Sequence, residues 1–184
     1  MKETEIKLQY KVVYREKLLE RCLELGFSEV DKVKETDVYY TPSHMNFLIS
    51  DQALRVRCVS SLRKGEQCLL TYKGRNEELN MQSREELEIK VENGRVLHQI
   101  LQRLDFSSLA TVEKERIYYK KKDMCICVDE VAGLGSYFEV EVLDRANAKS
   151  EILALVDKLT IPDTRIEPKT YLELILKDRC KIND

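Results

Sequence analysis

The sequence predicts an α+β fold in which an antiparallel sheet curls into a closed barrel, with an ionic interior and helices on its apolar outside. Three observations carry this. Many short segments alternate apolar and polar residues with the period of a half-buried strand. The polar faces of these strands are crowded with Arg, Lys, Glu and Asp, where a solvent-facing strand would mix in Thr, Ser and Gln. Three other segments carry apolar stripes at helical spacing that must lie on something.

Length and charge set the bounds. The 184 residues, 43% of them hydrophobic, suffice for one domain spanning 1–184 with a core of its own. Charged residues make up 35%, yet the formal net charge is only −2, which argues against attachment to nucleic acid or a membrane by bulk charge. No apolar run is long enough to span a bilayer, and the charged N-terminus is unlike a signal peptide. The six cysteines at 22, 58, 68, 125, 127 and 180 therefore read as reduced thiols of a cytoplasmic protein. Cys125-Ile126-Cys127 lacks the second Cys or His pair expected of a zinc site and reads as packing.

In chain order, strands are expected at 2–12, 35–41, 46–50, 53–60, 66–75, 83–91, 111–120, 124–131, 136–143 and 169–176. Helices are expected from Arg15 to Leu25, stopped by Gly26; after Gly94, with Val96, Leu97, Ile100, Leu101 and Leu104 apolar; and from Asn147 to Leu159, before Pro162. Arg63-Lys64-Gly65 and Lys121-Lys122-Asp123 have the character of hairpin turns.

The strand faces pose the chemical question. Glu3, Glu5 and Lys7 share one face of the first strand, opposite Ile6, Leu8 and Tyr10. Arg55 with Arg57, Arg84 with Glu86, Glu88 and Lys90, Lys114 with Arg116, and Glu139 with Glu141 repeat the pattern, each backed by apolar neighbours. Lys73 shares a face with Leu69 and Thr71, and Asp129 with Cys127 and Val131. An open sheet could solvate these faces, but like charges side by side cost repulsion unless something of opposite charge lies between them. A barrel lumen resolves the conflict. Guanidinium and ammonium groups suit a polyanion, and clustered carboxylates suit a hard divalent cation that bridges to phosphate. Together they describe a tunnel for a metal-bound phosphate chain.

These residues resemble a known family. Glu3-x-Glu5-x-Lys7 is similar to the ExExK signature of the CYTH superfamily, the triphosphate tunnel metalloenzymes. The resemblance runs on through "ALRVR", "LTYKG", "REELEIK", "VEKERIYY", "VDEVAGLGSYFEVE" and "EPKTYLELIL", and so covers almost the whole chain. The "VDEVAGLG" segment and the Asp-x-Tyr-Tyr pattern at Asp37 to Tyr40 most resemble the class IV adenylyl cyclase branch. The resemblance implies an eight-stranded antiparallel barrel binding a nucleoside or inorganic triphosphate with Mg²⁺ or Mn²⁺. By motif position it assigns Lys7, Arg55, Arg57, Lys73, Arg84, Lys114, Arg116 and Lys169 to phosphate. Glu3, Glu5, Asp129, Glu139 and Glu141 go to metal, and Glu88, Lys169 and Tyr171 are candidates for catalysis. Dimerisation through the barrel exterior is known among related cyclases, so monomer and homodimer both stay open.

Two chemistries fit such a tunnel. A cyclase converts ATP to cyclic AMP and pyrophosphate, using metal to activate the ribose 3′-hydroxyl. A hydrolase acting on inorganic or thiamine triphosphate uses the same clamp to position water. The cyclase is the leading expectation. A non-catalytic module that binds polyphosphate or nucleotide is the alternative of another class, and the paired glutamates speak against it, since basic residues alone would hold a polyanion. Nucleic-acid binding is excluded on similar grounds, because paired acids would repel its phosphates.

Overall fold

The computed structural model describes residues 2–76, 82–143 and 146–182. Its strands are β1 (Lys2–Gln9), β2 (Ser28–Pro42), β3 (Ala53–Ser61), β4 (Gly65–Lys73), β5 (Gln82–Val91), β6 (Phe106–Lys121), β7 (Met124–Val131), β8 (Gly135–Leu143) and the short β9 (Arg165–Ile166). The helices are α1 (Arg15–Glu24), α2 (Gly94–Arg103), α3 (Ala148–Leu159) and α4 (Tyr171–Ile182).

The strands run in the order β5-β4-β3-β2-β6-β7-β8-β1, and β1 pairs again with β5. Every pairing is antiparallel, so eight strands close into a barrel without a free edge among them. The two-residue β9 adds to β1 at Leu8 and Gln9.

Closure explains the ionic faces. The apolar faces of β1, β7 and β8 point outward, where Ile6, Leu8, Ile126, Val128, Phe138 and Val140 are buried under Leu18 and Cys22 of α1 and Ile152, Leu155 and Leu159 of α3. On another side Tyr40 and Val56 are buried with Leu101 of α2. Asn93 starts α2 by accepting a hydrogen bond from the Val96 amide at 3.0 Å. Its first residue is glycine because a Cβ there would stand 2.7 Å from the Cys68 sulfur.

The strand and helix expectations hold broadly, with corrections, among them a β6 that begins at Phe106 rather than residue 111. β1 stops at Gln9 rather than residue 12, and β2 begins at Ser28, well before residue 35. Residues 46–50 form turns, not a strand: the Asn46 side chain accepts from the Leu48 and Ile49 amides, which curls the backbone. The segment 169–176 is a helix start, not a strand. Thr170 and Glu173 cap it reciprocally, the Thr170 amide donating to the Glu173 carboxylate at 2.7 Å and the Glu173 amide to the Thr170 hydroxyl at 3.2 Å. Finally, Cys58 and Cys68 are joined by a disulfide and are not reduced thiols. The antiparallel register of β3 and β4 sets them directly opposite one another. Cys22, Cys125 and Cys127 are free. Among the described residues, no helix is long and apolar enough to cross a membrane.

Candidate active site in the barrel lumen

Cross-strand register builds the lumen as a set of opposed charges. Lys7 faces Glu139 and Glu5 faces Glu141 across β1 and β8. Arg116 faces Asp129, Lys114 faces Glu35, Asp37 faces Arg57, and Lys73 faces Glu86. The side chains enclose a cavity of about 260 Å³.

One cluster rests on two carboxylates that the sequence reading gave no role. Asp37 accepts from Arg57 twice, at 2.7 and 2.8 Å, and from the Lys114 ammonium at 2.8 Å, with Arg55 3.6 Å away. Glu35 stands 3.0 Å from Lys114 and 3.2 Å from Arg57, and accepts from the Tyr118 hydroxyl at 2.6 Å. Burial would raise both carboxyls, but Arg57 and Lys114 outweigh it and hold both below the usual range. The signal was present: Glu35 and Asp37 alternate along a strand like the other ionic pairs, and Asp37 had entered only through the Asp-x-Tyr-Tyr pattern.

Arg116 organises a second cluster. It donates to both Asp129 oxygens at 2.5 and 2.6 Å and to Glu139, and it lies 3.6 Å from Glu141. Lys7 is 3.7 Å from Glu139, and its ammonium sits 4.3 Å from the centre of the Tyr171 ring. Burial raises the Glu139 carboxyl, but Arg116, Lys7 and Lys114 outweigh it and bring it down to about 2. It is therefore a carboxylate at neutral pH.

Glu5, Glu139 and Glu141 bring carboxylate oxygens within 4.8 Å of one another. An all-oxygen set this compact suits a hard divalent cation. On the phosphate side, the Nε groups of Arg55 and Arg84 are buried without a hydrogen-bond partner among the described residues. A buried donor left unpaired costs about 1–3 kcal/mol, and an anionic oxygen from a ligand would satisfy it.

The other predicted residues fall in different places. Lys73 lies 3.1 Å from Glu86, and Glu88 accepts from the Thr71 hydroxyl at 2.9 Å; both line the cavity. Asp129 lies behind the cavity wall, held by Arg116 and Tyr171 rather than grouped with the three glutamates. Lys169 occupies the bend before α4 and is not among the described cavity-lining residues. The Glu3 backbone belongs to β1, but its side chain lies outside the described residues. Tyr171 reaches the lumen from α4 and donates to Asp129 at 2.7 Å, while burial and Asp129 push its phenol well above the ordinary value. A phenol kept protonated is suited to positioning Asp129 and Lys7, not to accepting a proton.

α4 crosses the end of the barrel where β2 finishes and β3 begins, burying Tyr171 and Leu172 against Tyr39, Ala110, Val112, Val131 and Tyr137. At that same end Phe47 and Leu48, on the turns misread as a strand, join the cavity lining. They give it an apolar rim.

The fold and lumen together define a triphosphate tunnel barrel. The sequence matches the CYTH domain over residues 1–171, and the chain belongs to this family. It is 30% identical over 175 residues to a protein of Methanocaldococcus jannaschii named "Putative adenylate cyclase", covering 92% of this chain and 97% of the relative. Among solved structures, a Pyrococcus horikoshii protein superposes with a TM-score of 0.80 at 30% identity, covering 96% of this chain and 99% of its own. A second protein of that organism gives 0.78 at 26%, covering 94% and 98%.

Proposed function

We propose that the protein is a metal-dependent triphosphate-processing enzyme, with ATP as substrate and cyclic AMP and pyrophosphate as products. The observation that carries this reading is the convergence of Arg55, Arg57, Lys114 and Arg116 with Glu5, Glu139 and Glu141 around one cavity. Glu5, Glu139 and Glu141 would hold Mg²⁺ or Mn²⁺, which supplies charge neutralisation and activation of an attacking hydroxyl. Arg55, Arg57, Lys73, Lys114 and Arg116 would grip phosphate oxygens, trading carboxylate partners for the ligand. Glu35 and Asp37 hold that basic set in place before substrate arrives. Phe47 and Leu48 offer a purine an apolar surface at the mouth. The resemblance to the relative named as a cyclase supports ATP as the substrate.

Hydrolysis of inorganic or thiamine triphosphate is the second reading, favoured by a cavity whose 260 Å³ falls just short of the ordinary ligand range of roughly 300–1,000 Å³. A bare phosphate chain needs less room than a nucleotide. Incubation with ATP, inorganic triphosphate and thiamine triphosphate, each with Mg²⁺ or Mn²⁺, separates the readings. Cyclic AMP with pyrophosphate supports the cyclase, and orthophosphate replaces it with the hydrolase. Tight binding without turnover of any of the three overturns both.

A further inference from the structure

Toward the opposite end of the barrel, where β7 begins and β8 ends, Cys125 and Cys127 face inward. Register sets Cys127 opposite Glu139 and Cys125 opposite Glu141. The two sulfurs are 3.7 Å apart, and the Cys127 sulfur is 3.3 Å from a Glu141 oxygen. All three ligand atoms fall within 4.8 Å of one another. A tetrahedral zinc ion with Zn–S of about 2.3 Å and Zn–O of about 2.0 Å separates its ligands by about 3.8 Å (S to S) and about 3.5 Å (S to O). The Cys125–Cys127 and Cys127–Glu141 separations are both within about 0.2 Å of that spacing. The partner that the Cys-x-Cys motif lacks in the sequence comes from the neighbouring strand.

We propose that Cys125, Cys127 and Glu141 form a binding site for a thiophilic divalent cation of the Zn²⁺ class, distinct from the all-oxygen cluster. Two thiolates select a softer metal than three carboxylates do, so Mg²⁺ does not compete for the sulfurs. Binding releases the thiol protons to solvent. Two thiolates and one carboxylate outweigh the dication by one negative charge, and Arg116, which Asp129 and Glu139 share, stands 3.6 Å from Glu141 beside it. The fourth coordination position is left to water.

Glu141 belongs to both clusters, so the two metals cannot both use it freely. Resting on the function proposed above, this makes Zn²⁺ an inhibitor of Mg²⁺-dependent turnover that excess Mg²⁺ relieves only partly.

The binding claim is tested without substrate. The full chain, with its Cys58–Cys68 disulfide left intact and oxygen excluded, is titrated with Cd²⁺ in excess Mg²⁺ while thiolate-to-metal charge-transfer absorbance is followed. One equivalent is expected to bind with a strong band. Cys125→Ser and Cys127→Ser are expected to lose the band, and Glu141→Gln to keep it with at least about 10-fold weaker affinity, since loss of even an outer partner of a ligand costs that much. No band in the wild type, or the same band and affinity in Cys127→Ser, overturns the site. If a serine variant fails to fold by circular dichroism, alkylation of the wild-type chain decides instead. Zn²⁺ must protect Cys125 and Cys127 from the reagent, and equal labelling with and without Zn²⁺ overturns the proposal. Absence of all triphosphate turnover would sink the function proposed above while leaving the cadmium band intact, so the two claims fail separately.

Discussion

Asp37→Asn isolates the role of the lumen carboxylates. In the wild type Asp37 pairs with three cations at once, with Arg57 at 2.7 Å, Lys114 at 2.8 Å and Arg55 at 3.6 Å. The amide is nearly isosteric but uncharged, so the basic cluster loses one counter-ion, while Glu35 remains beside Arg57 and Lys114 and Glu86 beside Arg55. Removing one partner from a buried ion pair costs about 3–5 kcal/mol. Because Glu35 shares the load, the lower end applies, about 3 kcal/mol. For a chain of this size that is a fall in Tm of about 10 °C. Inorganic triphosphate supplies the missing negative charge, so it should recover more stability in the variant than in the wild type. The assay is thermal unfolding with and without saturating triphosphate and Mg²⁺. An unchanged Tm in the variant, or an equal ligand shift in both proteins, would refute the claim that the carboxylates hold a phosphate-binding set of cations.

Three further outcomes are expected. Glu5→Ala should cut metal-dependent turnover at least about 100-fold with the fold intact by circular dichroism, since charge stabilisation at a reacting phosphate carries several kcal/mol; surviving activity would remove Glu5 from the metal site. Phe47→Ala should raise KM for ATP about 10-fold and leave KM for inorganic triphosphate unchanged, the size of one apolar contact of about 1–2 kcal/mol; equal effects on both would place the base elsewhere. The Glu139 carboxyl, lowered from 4.5 to about 2, contributes stability that is fully present above pH 4.5 and is lost as pH falls through 2. That amounts to roughly 3 kcal/mol, so the denaturant midpoint should fall across this window, and an equally steep fall in Glu139→Gln would contradict the assignment.

Much of the barrel was legible because alternation alone fixes which residues share a face. The parity of Arg55 with Arg57, Lys114 with Arg116 and Glu139 with Glu141 survives into the lumen unchanged. What the sequence could not show is how these charges meet. Sequence reading assigned cations to phosphate and carboxylates to metal as separate sets, yet register pairs them with each other across neighbouring strands. Glu35 and Asp37 escaped because they belong to no motif with a named role, though they are the carboxylates that hold Arg57 and Lys114.

The misread segments have local causes. Tyr171 to Leu176 is an apolar run broken only by Glu173, short enough to pass for a buried strand, and the Thr170-x-x-Glu173 capping box was the signal that it begins a helix. Asn46 likewise marked a turn by offering its side chain to the backbone. The Cys58–Cys68 pair could not be inferred from spacing of 10 residues alone, because the exact register of β3 on β4 decides whether the sulfurs meet. A one-residue slip would put them on opposite faces.

The most direct test of the lumen as a metal-assisted triphosphate site is calorimetric titration of inorganic triphosphate into the wild type and Arg57→Ala, each with Mg²⁺ and with chelator. The account predicts one-to-one binding to the wild type that weakens about 10- to 100-fold in Arg57→Ala, as loss of one charge-assisted contact requires, and that weakens again when Mg²⁺ is removed. One-to-one binding of the same affinity in both proteins, with or without Mg²⁺, would contradict it.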